Sequence, residues 1–385
     1  MSRYGELGVD VGKRGVEAFK SSLETLYPDA FCTVQIDPDN PGWGLVGHSD
    51  SAGSKPILSY IYWRETGEPS WFKGLAQDVV AMNLDDIVCV GARPILFLDN
   101  ISLNPMNIDR VMLLRTLSNG FQDCFKRLSE LGLPISFAGG ETADLPDQVR
   151  TLDVSGFILG RVRLEEAITG RDIRAGDLIV GLRSGGRARY EKEVNSGIMC
   201  NGLTLARCVL LASEYQERYP ETSHSKGRYK GRYRVEDYIE ELGMTLGEAL
   251  LSPTRLFAPI VKEALDGFGG MIHGIVHNTG GGLTKCLRLG RGVRYIKDSL
   301  PDPDPIFTLI QREGRIDWRE MYVDFNMGVG FELIVHPEVV DEVISISERF
   351  GVGAQVIGRC EDGEAGNALT IESQHGRFHY TQNRE

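Results

Sequence analysis

The sequence predicts two α/β or α+β domains joined near residue 170, and three observations carry that expectation. At 385 residues the chain has room for two separate cores, at roughly 150 residues each. Short apolar runs of strand length alternate with segments of helical periodicity along the whole chain. Between them, Ile168-Thr169-Gly170 leads into Arg174-Ala175-Gly176-Asp177, a turn-rich joint that divides the chain into 1–170 and 171–385.

Composition narrows the function classes. With 42% hydrophobic and 25% charged residues the chain reads as a soluble globular protein. Its net charge of −12 argues against nucleic acid or an anionic membrane surface as the main partner. An anionic substrate therefore needs local help from metal ions, lysines or backbone amides. The start, Met-Ser-Arg-Tyr-Gly-Glu, carries no export signal, and no run approaches the ~18 apolar residues of a membrane span. Seven cysteines are scattered without a C-x-x-C pair, which fits a reducing cytoplasm.

In the first half, Val16, Phe19, Leu23, Leu26 and Tyr27 recur at helical spacing. Lys20 lies within that helix and by itself reads as a snorkelling surface lysine. Gly44 to Val46 forms a strand that delivers Gly47 to Lys55, a loop holding Asp50 and Lys55. The spacing is not that of a P-loop. One carboxylate and one ammonium there serve either a phosphate with its metal or an ordinary surface ion pair. Trp71 to Val90 is helical through Leu75, Val79, Met82 and Val90, which sets Asn83 and Asp86 three residues apart on one face. Such hard oxygen donors suit Mg²⁺. Ile95 to Leu98 is a strand ending in Asp99-Asn100. Asn104-Pro105 then caps a long core helix carrying Ile108, Val111, Leu114, Phe121, Phe125 and Leu128. Ile135 to Ala138 is a strand running into Gly139-Gly140-Glu141, where two glycines let backbone amides approach a ligand. A strand over Leu152 to Leu159 completes this half.

The second half opens with a strand at Leu178 to Leu182. Residues 211 to 238 are irregular, with Lys226, Arg228, Lys230, Arg232 and Arg234 alternating with Gly and Tyr. In an acidic chain this pattern is better read as a solvated loop than as an RNA-binding one. A helix covers Phe257 to Leu265 and a strand Met271 to Val276. On a strand His273 and His277 stand about 13 Å apart, too far to share zinc. Gly280-Gly281-Gly282 offers successive backbone donors at a strand-to-helix turn, an anion site. A helix over Pro337 to Phe350 and a strand over Ala354 to Cys360 follow, and the tail from Glu372 is polar and carries no reading.

Resemblance sharpens these signals. Asp86, four spacers and Gly91-Ala92-Arg93-Pro94 resemble the D-x4-G-A-x-P motif of the aminoimidazole ribonucleotide (AIR) synthetase family, which usually has Asn where this chain has Asp85. Asp50, Gly53 and Lys55 match that family's D-G-V-G-T-K. Gly139 to Pro146 is similar to its G-G-E-T-A-E-M-P, with Asp144 for Glu. Leu251 to Phe257 resembles L-x-P-T-R-I-Y, His277 to Leu283 resembles H-I-T-G-G-G-L, and Glu320 to Gly330 contains E-M-x-x-x-F-N-M-G-V-G intact. Against that pattern, Arg183 to Asn195 and residues 211 to 238 are insertions, and in Ser196 to Gly202 the family's His and Ser are Met199 and Cys200.

The resemblance implies an AIR synthetase-like fold: an N-terminal domain whose strands pair across a homodimer, and a C-terminal α/β domain. It implies ATP-dependent closure of formylglycinamidine ribonucleotide to aminoimidazole ribonucleotide, through phosphorylation of an amide oxygen. The alternatives are a paralogue acting on another amide or carbamoyl acceptor, and a non-catalytic nucleotide-binding homologue. It implies ATP and Mg²⁺ as cofactors, with Asp50, Asn83, Asp86 and Glu141 as metal ligands and Lys20, Lys55 and Asp50 as catalytic groups. Asn83, Asp86, Gly91, Ala92, Pro94, Asp99, Gly139 and Gly140 would bind nucleotide. Ser196, Gly197, Asn201, Gly202, Thr279, Gly280, Gly281 and Gly282 would bind the substrate.

Overall fold

A computed structural model describes residues 2–10, 15, 17–20, 22–363 and 366–382. Two sheets organise it. The first has five strands in the order β1-β2-β5-β3-β4, with β1 (Gln35–Ile36), β2 (Trp43–Ser51), β3 (Arg93–Leu103), β4 (Ser136–Asp144) and β5 (Leu152–Arg163). Strand β4 is parallel to β3 and lies at the edge; the other pairings are antiparallel. Alternation along β5 is clean: Leu152, Val154, Ile158 and Val162 are buried, whereas Asp153, Ser155, Phe157 and Arg161 lie on the other face. The buried face is covered by α4 (Gly74–Val88) and α5 (Arg110–Glu130). Before them come α1 (Arg3–Glu6), α2 (Glu17–Lys20) and α3 (Lys55–Thr66).

The second sheet has seven strands in the order β11-β13-β6-β14-β12-β15-β16. They are β6 (Leu178–Arg183), β11 (Ile272–His277), β12 (Val293–Lys297), β13 (Val329–Val335), β14 (Ala354–Asp362), β15 (Ala368–Ser373) and β16 (Gly376–Thr381). Two small ladders join β7 (Gly185–Gly186) to β8 (Asn195–Ser196) and β9 (Tyr238–Ile239) to β10 (Met244–Thr245). Helices of this half are α6 (Leu203–Leu210), α7 (Glu214–Arg218), α8 (Leu246–Leu251), α9 (Ala258–Phe268), α10 (Pro305–Gly314), α11 (Trp318–Asp324) and α12 (Val340–Arg349). Strands β6, β11 and β13 are almost wholly buried, so their sequence reads as continuous apolar runs with no alternation.

Several elements differ from the sequence expectation. Glycine 47 to Ser51 is not a loop, because β2 stays paired with β5 from Trp43↔Arg163 to Ser51↔Ser155. The stretch from Trp71 begins in a 3-10 turn, Pro69–Phe72, before α4 starts at Gly74. Asp109, not Asn104, caps α5: its side chain accepts from the Met112 N–H at 2.9 Å, whereas Asn104 ties down the Pro146 and Val149 carbonyls. The expected helix from Val16 to Tyr27 is described only over Glu17–Lys20, with Phe19 and Leu23 exposed; Val16 lies outside the described residues. The polar tail from Glu372 holds the end of β15 and all of β16, which pair with each other to finish the sheet.

The insertion at 211–238 is packed rather than solvated. Tyr215, Tyr219 and Tyr229 are buried, and from Lys226 to Val235 the cations turn outward on every second residue. Three arginines of this segment are matched by acids: Arg218 with Glu65 at 2.8 Å, Arg232 with Glu313 at 2.8 Å and Arg234 with Glu214 at 2.9 Å. The acidic net charge of the chain is the source of those partners.

Candidate active site

Helix α4 is the axis of the site, because it carries three buried carboxylates that all reach the second half of the chain. Asp78 and Asp85 are seven residues apart, two turns along one face. Asp85 caps α9 across the domain joint, accepting from the Phe257 N–H at 3.1 Å and the Ala258 N–H at 2.8 Å. Burial pushes its carboxyl well up. Asp86, the next residue, points about 100° away and meets a different set of partners.

Those partners are three basic side chains. His277 Nδ1 lies 2.7 Å from Asp86 Oδ1, His48 Nε2 lies 3.3 Å from Oδ2, and Lys285 Nζ lies 4.0 Å from Oδ2. Burial alone would raise the Asp86 carboxyl, but Lys285, His277 and His48 together outweigh it and hold the group well below its ordinary range. An ionised Asp86 makes Nδ1 the protonated nitrogen of His277. Burial lowers the His277 pKa against the pull of Asp86, so the ring is neutral and its Nε2 is a buried acceptor with no hydrogen-bond partner among the described residues. Lys285 Nζ also donates to Thr279 Oγ1 and stands 4.5 Å from the centroid of the Phe31 ring.

Cys32, His48 and Asp86 present ligand atoms within 4.8 Å of one another. The Cys32 thiol, however, donates to the Asp86 carbonyl at 3.1 Å and is pushed well up by burial. Asp86 is thus already neutralised by cationic or donor groups and does not fit a Mg²⁺ ligand. Asn83 does not fit either. Its Oδ1 accepts from the Asp50 N–H at 3.0 Å and its Nδ2 donates to the carbonyls of Asp50 at 3.1 Å and Val79 at 2.8 Å. It is a clamp between α4 and β2.

Asp50 and Asp99 are better suited to a hard cation. They lie in one row across the sheet, Asp50↔Gly156 on β2 and β5 and Gly156↔Asp99 on β5 and β3, on the face toward α4. Two strand spacings separate them, roughly 10 Å, so each would take its own ion or that ion's water. Glu141 is not with them: it pairs with Asn100 on the outer face of the sheet, and its carboxylate accepts from the Thr142 N–H at 3.1 Å. Gly140 is required where it stands, since a Cβ there would lie 2.0 Å from Asp99 Oδ1. Gly139, at φ +103°, turns the backbone just before it. Gly91, at φ +77°, closes α4 beyond Asp86 through its N–H to the Val88 carbonyl at 2.9 Å. With Ala92 it lines a groove of about 450 Å³ near Arg93, Lys262 and His273, and Pro94 begins the adjoining strand.

Lys55 points elsewhere. It is fully buried, with Nζ 2.7 Å from Asp78 Oδ1 and 2.7 Å from the Ser252 carbonyl. The same Oδ1 accepts from Thr254 N and Oγ1, both at 2.7 Å, and lies 3.3 Å from Cys200 Sγ. Lys55, Asp78, Thr254 and Cys200 form a clasp between the halves, so Lys55 has no free ammonium for a transferring phosphoryl group. Lys20 falls in α2, and its side chain lies outside the described residues.

The substrate-loop residues divide in the same way. Ser196 Oγ donates to the Ala249 carbonyl at 2.6 Å and the Gly197 carbonyl accepts from Asn326 Nδ2 at 3.0 Å, so both face the interior of the second half. Met199 and Cys200 are buried, and their departure from the family pattern is absorbed into packing and the clasp. Asn201 is different: its buried Nδ2 is unpartnered among the described residues, and a Cβ on Gly280 would lie 3.6 Å from its Oδ1. Gly202, at φ +72°, opens α6. Thr279, Gly280, Gly281 and Gly282 form the turn after His277, and Gly281 (φ +101°) and Gly282 (φ +50°) both need left-handed backbone.

Comparison with known proteins decides the family. The AIR synthase related protein N-terminal domain matches residues 29–162, and the C-terminal domain of the same name matches residues 174–369. The chain belongs to the AIR synthase family.

Within that family, it is 35% identical over 318 residues to a phosphoribosylformylglycinamidine cyclo-ligase of Methanocaldococcus jannaschii, covering 83% of this chain and 78% of the relative. A cyclo-ligase of Methanococcus maripaludis is 31% identical over 378 residues, with 96% of this chain and 95% of the relative covered. Among solved structures, T. maritima PurL complexed with FGAR superposes with TM-score 0.55 at 13% identity, over 94% of this chain and 49% of that longer one. AaThiL complexed with AMPPCP and TMP gives TM-score 0.55 at 14% identity over 95% of each chain. At those identities the structural likeness shows the AIR synthase fold.

Sequence reasoning missed Lys285 and His48, and gave His277, which it weighed as a zinc ligand and placed at the head of the glycine motif, no part in the chemistry. A lysine three residues past the third glycine was the available signal for Lys285. No pattern flagged that His277 would meet Asp86, 191 positions earlier.

Proposed function

We propose that the protein catalyses the ATP-dependent ring closure of formylglycinamidine ribonucleotide to aminoimidazole ribonucleotide, a step of purine biosynthesis. The family, and relatives named cyclo-ligases over most of their length, support this reading. The observation that carries it in this chain is the meeting of Asp86 with His277 and Lys285, which joins the D-x4-G-A-x-P helix to the glycine turn.

The chemistry activates an amide. The γ-phosphoryl of ATP passes to the amide oxygen, converting a poor leaving group into phosphate. The amidine nitrogen then attacks that carbon, phosphate departs with the C–O electron pair, and a proton leaves the ring nitrogen. Such transfer depends on positioning and charge neutralisation. Lys285, oriented by Thr279 and Asp86, is the cation at the site, and the neutral His277 Nε2 is an acceptor for the proton released. Backbone amides of Gly280 to Gly282 suit the anionic phosphoryl group carried by the activated amide. Mg²⁺, held by Asp50 and Asp99 with the nucleotide phosphates, would neutralise charge on the polyphosphate.

The same reading includes a homodimer in the cytoplasm. Phe157 lies exposed on the outer face of the first sheet, Phe137 is half-exposed on edge strand β4 beside Phe121 and Phe125 of α5, Ile95 is exposed on β3, and β4 is an open edge, which favours a partner surface. Seven free, buried cysteines suit a reducing compartment. Among the described residues no helix is long and apolar enough to cross a membrane. The test incubates protein with ATP, Mg²⁺ and formylglycinamidine ribonucleotide and follows ADP and product together. One ADP per aminoimidazole is expected. ADP without the aminoimidazole product would move the activity to another acceptor.

A further inference from the structure

A cavity of about 370 Å³ opens beside the start of α3, on a part of the surface the Asp86 cluster does not use. Gly53 and Ser54 form one side, Gln148 to Leu152 another, and Glu221 to His224 of the insertion the third. Its size is that of a small-ligand site.

Two arginines line it. Arg207 on α6 is only 4% exposed and its guanidinium is partly matched: Nη1 donates to the Thr222 carbonyl at 3.1 Å and Cζ stands 6.0 Å from the centroid of the Tyr229 ring, while Nε has no partner among the described residues. A buried donor left unmatched is costly, and an acceptor oxygen supplied by a ligand would relieve it. Arg150 is exposed, and Nη1 donates to the Ser223 carbonyl at 2.6 Å. The acid among the lining residues, Glu221, is already engaged by the Tyr60 hydroxyl and by Arg64 at 3.8 Å. The cavity is therefore locally cationic in a chain of net charge −12.

Its Gly53-Ser54 side packs against the segment that neighbours the glycine turn. Thr204 Oγ1 donates to Ser54 Oγ at 3.0 Å, and a Cβ on Gly53 would sit 3.3 Å from the Cys200 carbonyl, next to Asn201 and Gly280. We propose that this cavity is a second anion site, which takes a phosphate monoester through the guanidinium groups of Arg150 and Arg207. Planar forks of this kind match phosphate oxygens in pairs. The phosphate is either the ester of the nucleotide substrate or free inorganic phosphate; the first source rests on the cyclisation reading, the second does not.

The experiment uses the full-length protein, Arg150→Ala and Arg207→Lys. Inorganic phosphate is titrated by calorimetry against chloride at matched ionic strength, and KM is measured for the ribonucleotide and for ATP. Arg150 is at the surface, so its variant decides even where the buried Arg207→Lys fails to fold. A loss of phosphate affinity of about tenfold or more in Arg150→Ala is expected. A ribonucleotide KM raised by a similar factor, with the ATP KM unchanged, identifies the substrate ester. An unchanged KM beside lost phosphate binding identifies free phosphate. Phosphate that binds no better than chloride while both KM values stay unchanged would overturn the proposal. So would a rise confined to ATP. The calorimetric arm stands even where no cyclisation is detected.

Discussion

Two buried carboxylates eight residues apart on one helix do different work, and their surroundings explain why. Asp78 Oδ1 collects Lys55, both donors of Thr254 and the Cys200 thiol. Its partners are sealed in and come from both halves of the chain, so the group holds the domains together. Asp86 collects two imidazoles and a lysine whose remaining valences are not used up: His277 Nε2 is unpartnered among the described residues and Lys285 stands at the glycine turn. A carboxylate whose donors are all sealed between the two halves is structural, even though Asp78 Oδ2 has no partner among the described residues, and one whose partners keep free atoms can serve a ligand.

The sharpest way to break this comparison is to neutralise each carboxylate system in turn. Asp86→Asn should lower product formation by about 10³-fold or more, as expected when a preorganised charge is lost, while the purified variant keeps its far-ultraviolet circular dichroism. Lys55→Met should do the reverse. Leaving Asp78 buried without its ammonium costs about 3–5 kcal/mol of stability in denaturant titration, and the protein that remains folded should turn over. Lost turnover with unchanged stability in Lys55→Met would return that lysine to the chemical role its motif suggested.

A pH series sharpens the contrast. Because the Asp86 pKa is depressed in the folded state, its stabilisation is fully present above the unfolded value of about 4 and is lost progressively as pH falls below it toward the folded value. The stability gap between wild type and Asp86→Asn should therefore hold constant down to about pH 5 and shrink below about pH 4. Asp324 behaves oppositely. Burial, with a smaller push from Glu320, raises it to about 7, and its Oδ2 has no partner among the described residues. Folding then favours the protonated form, and stability falls as pH rises from about 4 to 7. Asp324→Asn should gain on the order of 2–3 kcal/mol at pH 8 and almost nothing at pH 4. An equal gain at both pH values would show that the carboxyl stays ionised. The smallest effect is expected of Asp85→Asn, which keeps one of the two acceptors that cap α9; about 1 kcal/mol should be lost, with kcat unchanged.

Much of the fold was legible because local rules agree with it. The pleat of β5 and the helical period of α5 both express burial, although the buried stripe of α5 runs through Leu113, Leu117, Phe121, Cys124 and Leu128 and leaves Val111, read from the sequence as core, exposed. Misreadings fell where a local signal had a tertiary competitor. Asn104-Pro105 looks like a cap, but Asn104 was recruited by carbonyls of the 146–149 turn. The run from Gly47 to Ser51 looks like a loop, but β5 supplies a full set of ladder partners. The basic insertion looks solvated, yet every second residue turns a tyrosine, glycine or valine inward.

The sequence by itself determined the family, the order of elements and the motifs that meet at the site, because each is a contiguous string whose chemistry does not depend on distant residues. It could not assign Asp78, Asp85 and Asp86 their separate tasks. On a helix, adjacent carboxylates diverge by about 100°, and what each one does is set by backbone and side-chain groups roughly 170 to 200 positions away. Only the tertiary structure placed Thr254, Phe257 and His277 against them, and only it showed that Lys55 lies in the clasp while Lys285 stands at the site.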